Sequence, residues 1–165
     1  MIRTTCPVHV EKIVNGGTMK IAIGADHRGF HFKQIMMQDY GKPTYGRHVD
    51  WLDAGCFTAE RCDYPEFAKK VVQEIKKGEA NLGILICGSG VGMAIAANRY
   101  PGIYAALVWN ETTAHLAREH DGANILVIPA DFVSSHDALR MVHAWLEAKF
   151  LAERYQKRLE MIDAN

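Results

Sequence analysis

Six consecutive apolar positions, LGILIC at residues 82–87, run directly into Gly-Ser-Gly-Val-Gly at residues 88–92. A strand with one face in water alternates apolar and polar side chains, whereas an unbroken run marks a strand covered on both faces. That burial is typical of a parallel sheet, and parallel strands need long crossover connections, usually helices. The rest of the chain supplies them. Strand-like segments at residues 20–25 (KIAIGA), 49–54, 103–109 (IYAALVW) and 125–128 (ILVI) alternate with segments of helical period. Residues 30–40 place Phe32, Ile35, Met36 and Tyr40 on one stripe. Pro65 suits a first helical turn, and Phe67, Val71, Val72 and Ile75 form the stripe behind it. Further helices are predicted over residues 93–98, 111–120, 136–150 (capped by Ser134 or Ser135) and a charged 151–162. Five strands alternating with helices predict an α/β fold, a three-layer α/β/α sandwich on a five-stranded parallel sheet.

The 165 residues suffice for one domain with a real core. Residues 1–18 read as an N-terminal extension, with Met19 as an alternative start, and residues 19–165 as a single domain. Glu11 and Lys12 interrupt any apolar core, so the extension is not a signal peptide. No apolar run approaches a membrane span. The 19 basic and 19 acidic residues cancel, which lacks the basic excess of a nucleic-acid-binding surface. The four cysteines, Cys6, Cys56, Cys62 and Cys87, have neither a CxxC pair nor metal-finger spacing. Reduced thiols in a cytoplasmic protein are expected.

In open α/β sheets, ligands bind outside the carboxyl ends of the strands. That rule selects Asp26 and His27, residues 55–63, residues 87–92, Asn110 and residues 129–131 for inspection. Cys87 ends a buried strand, and Gly88, Ser89, Gly90, Val91 and Gly92 follow it. Glycines let backbone N–H groups approach a ligand, and the partial positive charge there favours a thiolate. The same pattern also fits a tight turn with an inert, buried cysteine. Asp26 beside His27 can bind hydroxyls or move protons, although capping of the next helix explains the Asp by itself. His120, before Asp121 and Gly122, can equally compensate a helix dipole. Arg154 and Arg158 share one helix face, where a bound anion would relieve their repulsion, and where a solvated face, with Glu153 paired to Lys157 and Glu160 near, is the plainer explanation.

Taken together, the segments GADHRGF (24–30), ERCDYPEFA (60–68), ILICGSGVGMAIAAN (84–98), TAHLAREHDGAN (113–124) and AWLEAKF (144–150) resemble the ribose-5-phosphate isomerase B family, which includes galactose-6-phosphate and allose-6-phosphate isomerases. The resemblance covers roughly residues 19–163. It implies a metal-independent aldose–ketose isomerase that needs no cofactor, with a Rossmann-like fold, assembled as a homodimer or a dimer of dimers with active sites at the interface. It implies Cys87 as the proton-abstracting base and Ser89 as the small hydroxyl residue. Gly88, Gly90, Val91 and Gly92 would form the loop that holds the enediolate oxygens, and His120 would open the sugar ring. Asp26, His27 and Asp121 would bind substrate, and Arg154 and Arg158 its phosphate. One branch of the family uses a glutamate base where this chain has Met93, so the resemblance is to the cysteine branch.

Two positions depart from the family pattern. Asp121 stands where Asn is usual, and Asp131 stands where an arginine often follows the fifth strand. A bare carboxylate at 131 is expected to repel a phosphate dianion. Ribose 5-phosphate is the expected substrate. Allose 6-phosphate, galactose 6-phosphate or a tetrose 4-phosphate are the alternatives, as is a non-catalytic paralogue that binds a sugar phosphate. A nucleotide-binding module fits poorly, because GSGVG is neither GxGxxG nor a P-loop.

Overall fold

The computed structural model describes residues 19–40 and 48–164. The extension expected over residues 1–18, Cys6 included, lies outside the described residues. The elements run β1 (Met19–Ala25), α1 (Phe30–Asp39), β2 (Val49–Asp53), α2 (Tyr64–Lys77), β3 (Leu82–Cys87), α3 (Val91–Ala97), β4 (Ala105–Leu107), α4 (Glu111–Asp121), β5 (Ile125–Pro129), α5 (Ser135–Glu147) and α6 (Glu153–Asp163). The sheet is parallel throughout, in the order β2-β1-β3-β5-β4.

All six residues of β3 are buried, as an unbroken apolar run at the centre of a parallel sheet requires. Two cores lie on the two faces. Ile21, Ile23, Ile84, Ile86, Leu126 and Ile128 point to one face, with Met36 of α1, Ala114 of α4 and Trp145 of α5. Ala22, Leu85, Cys87, Ile125 and Val127 point to the other, with Phe67, Val71 and Val72 of α2 and Met93 of α3. Helices α1 and α3 thus leave the adjacent strands β1 and β3 toward opposite faces, which opens a crevice between the carboxyl ends of those strands.

Several expected boundaries move, each for a tertiary reason. Helix α3 starts at Val91 rather than Met93, because Gly90 (φ 76°) already turns the chain into the helix. The fourth strand shortens from residues 103–109 to Ala105–Leu107. It is a sheet edge, and the Asn98 side chain takes the place of a neighbouring strand there: its Oδ1 accepts from the Ala105 N–H and its Nδ2 donates to the Ala105 carbonyl, both at 2.8 Å. Ser134 is the cap of α5. That helix ends at Glu147 rather than Phe150, because the chain crosses α4: Phe150 lies against Gly122, and the Leu151 N–H donates to the Glu119 carbonyl. Trp145 is fully buried in its own core and donates to the Ala123 carbonyl at 3.1 Å, so it is not available to a second subunit.

Helix α1 also departs from its expected stripe. Phe32 and Ile35 are only half-buried, while Lys33 is 1% exposed. Its Nζ donates to Asp53 Oδ1 and, at 2.7 Å, to the Cys56 carbonyl, with the Phe57 ring 5.1 Å away. A buried ammonium is tolerated when paired and hydrogen-bonded, and here it ties the loop after β2 to α1.

Candidate active site

The carboxyl end of β3 is built tightly. The Cys87 carbonyl accepts from the Ala130 N–H at 2.9 Å, and the Gly88 carbonyl from the Asp131 N–H at 3.0 Å. These bonds hold the glycine turn beside the end of β5. Gly90 sits at positive φ, and a Cβ there would stand 2.4 Å from Leu107 Cδ1, so only glycine makes the turn. The turn folds its N–H groups back onto the thiol: the Gly90 N–H donates to Cys87 Sγ at 3.2 Å. The ring of Tyr64 lies over Gly92 and closes the other side.

The electrostatic balance at Cys87 differs from the thiolate expected from sequence. The N–H groups of Gly90, Met93 and Ser89 do favour the anion, but burial outweighs them and Asp26 adds repulsion, so the thiol is pushed up from its ordinary value. Cys56 is no rival base: burial, with Cys62 beside it, pushes its thiol up to about 11.

Asp26 and His27 stand at the adjacent end of β1. Asp26 is buried and its Oδ1 accepts from the N–H groups of Arg28 (2.9 Å) and Gly29 (3.1 Å), which shapes the turn into α1. His27 Nδ1 lies against the backbone of Cys62, 3.4 Å from its N–H and 3.3 Å from its carbonyl, which fixes the ring's orientation. Asp131 is not a bare carboxylate: it forms an ion pair with Arg28 across the mouth of the turn. The expected repulsion of a dianion by Asp131 is corrected accordingly, since a guanidinium neutralises it.

The other expected residues lie elsewhere. Helix α4 begins at the carboxyl end of β4 and runs back toward the amino end of β5, about 15 Å over ten residues. His120 and Asp121 are at its far end, where Gly122 (φ 58°) terminates it. The His120 ring stacks on Tyr155 of α6, with centroids 4.4 Å apart and planes 8° from parallel. The guanidinium groups of Arg154 and Arg158 lie over the same Tyr155 ring, at 4.8 and 5.4 Å, and Arg154 also donates to the Tyr155 hydroxyl at 2.8 Å. Tyr155 is therefore the shared contact of the two arginines, with Glu153 adding attraction at Arg154. The expected site is thus two clusters in one chain: Asp26, His27, Cys87 and residues 88–92 at the carboxyl end of the sheet, and His120, Asp121, Arg154 and Arg158 at the amino end. Among the described residues, no three His, Cys, Asp or Glu side chains are placed to hold a metal ion, and no helix is long and apolar enough to cross a membrane.

Residues 21–162 match the family described as Ribose/Galactose Isomerase. The chain belongs to this family. It is 39% identical to the ribose-5-phosphate isomerase B of Escherichia coli over 145 residues, 88% of this chain and 95% of that protein. It superposes on a ribose 5-phosphate isomerase from Thermotoga maritima with a TM-score of 0.83 and 42% identity, covering 90% of this chain and 100% of the other. The ribose-5-phosphate isomerase B of Mycoplasma genitalium, solved with bound ribulose-5-phosphate, superposes with a TM-score of 0.79 at 39% identity, covering 88% and 95%. As a ribose/galactose isomerase, the chain keeps the cysteine and glycine turn at the crevice. Sequence reading missed Arg28, Lys33, Tyr64 and the backbone of Cys62 as parts that shape this site. Arg28 and Tyr64 did stand inside the segments that carry the resemblance, but only the sheet order shows what they touch.

Proposed function

We propose that the protein interconverts ribose 5-phosphate and ribulose 5-phosphate through a cis-enediolate, with Cys87 as the base. The observation that carries this reading is the Cys87 thiol at the end of β3, held at 3.2 Å by the Gly90 N–H beneath the glycine turn. The thiolate takes the proton from C2 of the open-chain aldose, the hydroxyl proton passes from O2 to O1 in the enediolate, and the thiol returns the carbon proton to C1, so that the C1 carbonyl becomes a hydroxyl and C2 becomes the carbonyl. The N–H groups of residues 88–92 receive the charge that develops on the enediolate oxygens, where fixed donors act most strongly. Ser89, an exposed residue of the turn, offers its hydroxyl to the same oxygens. Asp26 and His27 bind the sugar hydroxyls. Because isomerisation is internal, atoms and electrons balance with no cofactor.

Ring opening and phosphate binding call for the second cluster, and α4, which runs back from the carboxyl end of β4 toward the amino end of β5, places it at the opposite end of the sheet from Cys87 in the same chain. The active form is accordingly a homodimer, or a dimer of such dimers. In it, His120 of the partner subunit opens the furanose, with the partner's Asp121 beside it. Arg154 and Arg158 of the partner subunit hold the phosphate. The exposed apolar side chains Val91, Ile95, Trp109 and Phe132, at the carboxyl end and on α3, suit such a contact. A two-fold axis then completes two sites at once. Residues 19–165 act as one catalytic domain in the cytoplasm.

The test is turnover of ribose 5-phosphate beside allose 6-phosphate, galactose 6-phosphate and erythrose 4-phosphate. Conversion of ribose 5-phosphate is expected, with Cys87→Ala inactive yet still binding substrate. Silence on all four sugars, or near-normal turnover by Cys87→Ala, would overturn the reading.

A further inference from the structure

The isomerase chemistry uses no ion pair, yet one spans the mouth of the crevice. Arg28, in the loop after β1, gives Nη2 to Asp131, in the loop after β5, across the end of β3. The remaining guanidinium atoms lie over the glycine turn: a Cβ added at Gly88 would stand 2.6 Å from Arg28 Cζ and Nε and 2.7 Å from Nη1. Gly88 therefore leaves room for a guanidinium resting on the residue next to the base. The side chain is 56% exposed, so N–H groups not given to Asp131 are open to solvent at the mouth of the turn.

Charge at this end of the sheet makes the placement consequential. Asp26, Asp131 and, during turnover, the Cys87 thiolate are all negative. Arg28 is the one arginine or lysine side chain that the described contacts place against the glycine turn. A substrate carrying a phosphate dianion would otherwise enter a field of its own sign. Asp131 removes one unit of net charge and also holds the planar guanidinium in one orientation. A guanidinium so fixed suits the paired oxygens of a phosphate better than a mobile ammonium.

We propose that Arg28, braced by Asp131, is a specificity-determining residue that contacts the phosphate of the substrate at the mouth of the Cys87 turn. In this arrangement Arg28 meets the phosphate from one side, and Arg154 and Arg158 of the partner subunit meet it from the other. The inference rests on the sugar-phosphate reading and deepens it. It also accounts for an acidic residue after β5 in an enzyme for anionic substrates, because Asp131 acts through Arg28.

The test compares wild type with Arg28→Met, which removes the guanidinium but keeps an unbranched side chain at this position, and with Arg28→Lys, which keeps the charge. Calorimetry measures the binding of inorganic phosphate, and steady-state kinetics with ribose 5-phosphate separates KM from kcat. For Arg28→Met, phosphate affinity falls and KM rises, each by about tenfold or more, the scale for losing a charge-assisted hydrogen bond. Its kcat changes far less than KM, its melting temperature stays that of wild type, and Arg28→Lys recovers part of the affinity. Equal phosphate affinity in wild type and Arg28→Met overturns the assignment. So does a variant that loses kcat and melting temperature with KM and phosphate affinity intact, because the pair would then only bridge two loops. The isomerase reading fails separately: a wild type that is silent on ribose 5-phosphate sinks it, while a phosphate affinity still lowered by Arg28→Met leaves the Arg28 contact standing.

Discussion

If His120 and Cys87 serve one site from two subunits, two inactive variants must restore each other. Cys87→Ala removes the base at the carboxyl end of β3, and His120→Ala removes a proton-transferring group at the far end of α4. Loss of a positioned acid–base group costs about 10²–10⁴-fold in rate, so each variant alone is close to silent. The two are mixed in equal amounts, unfolded together in denaturant and refolded, so that subunits pair at random. Half of the dimers are then mixed. In a mixed dimer, one site carries both substitutions and the other carries neither, because the site that receives the partner's His120 is built on the intact Cys87. Half the sites of half the dimers gives about 25% of wild-type activity. The assay is initial-rate isomerisation of ribose 5-phosphate before and after mixing, with singly refolded variants as controls. The direction of α4 is what forces this outcome, since it carries His120 to the opposite end of the sheet from Cys87 in the same chain. Activity that stays at the sum of the two parents after subunit exchange would refute the shared site.

Three further outcomes follow from particular contacts. Burial raises the Cys87 thiol, so the neutral thiol dominates near pH 7 and the reactive anion grows as pH rises; kcat/KM and the rate of iodoacetamide inactivation should both climb from pH 7 toward and beyond the ordinary thiol range, and a flat profile would contradict the base assignment. Lys33→Met removes the only cation bonded to Asp53 and the Cys56 carbonyl among the described contacts, and leaves those acceptors part-buried; a loss of about 2 kcal/mol is expected, seen as a melting temperature lowered by about 4–8 °C. Gly90→Ala sets a Cβ 2.4 Å from Leu107 Cδ1 at a positive φ; about 3 kcal/mol of strain and overlap should lower the melting temperature by about 6–12 °C, and kcat/KM should fall further than stability explains because the N–H on Cys87 Sγ is displaced.

Local chemistry made much of this protein legible in its sequence. The continuous run at 82–87 had to be a buried strand, and the strand ends where Gly-Ser-Gly begins. Ser134 caps α5 through its hydroxyl, and Gly122 ends α4 at positive φ, because both devices act within a few residues of chain. The alternation of strand and helix patterns then dictated a parallel sheet, and the strand-end rule pointed to Cys87, Asp26 and His27. What only the tertiary structure decided are relations between distant positions. Lys33 is buried because Asp53 and Cys56 come to meet it. Phe150 leaves its helical pattern because Gly122 offers it a surface. Asp131 is paired with a residue 103 positions away, and His120 is separated from Cys87 by the direction of one helix. The reason is common to all four. Periodicity and capping are set by neighbours along the chain, whereas partners across a sheet depend on strand order, and the order β2-β1-β3-β5-β4 is written in no single segment.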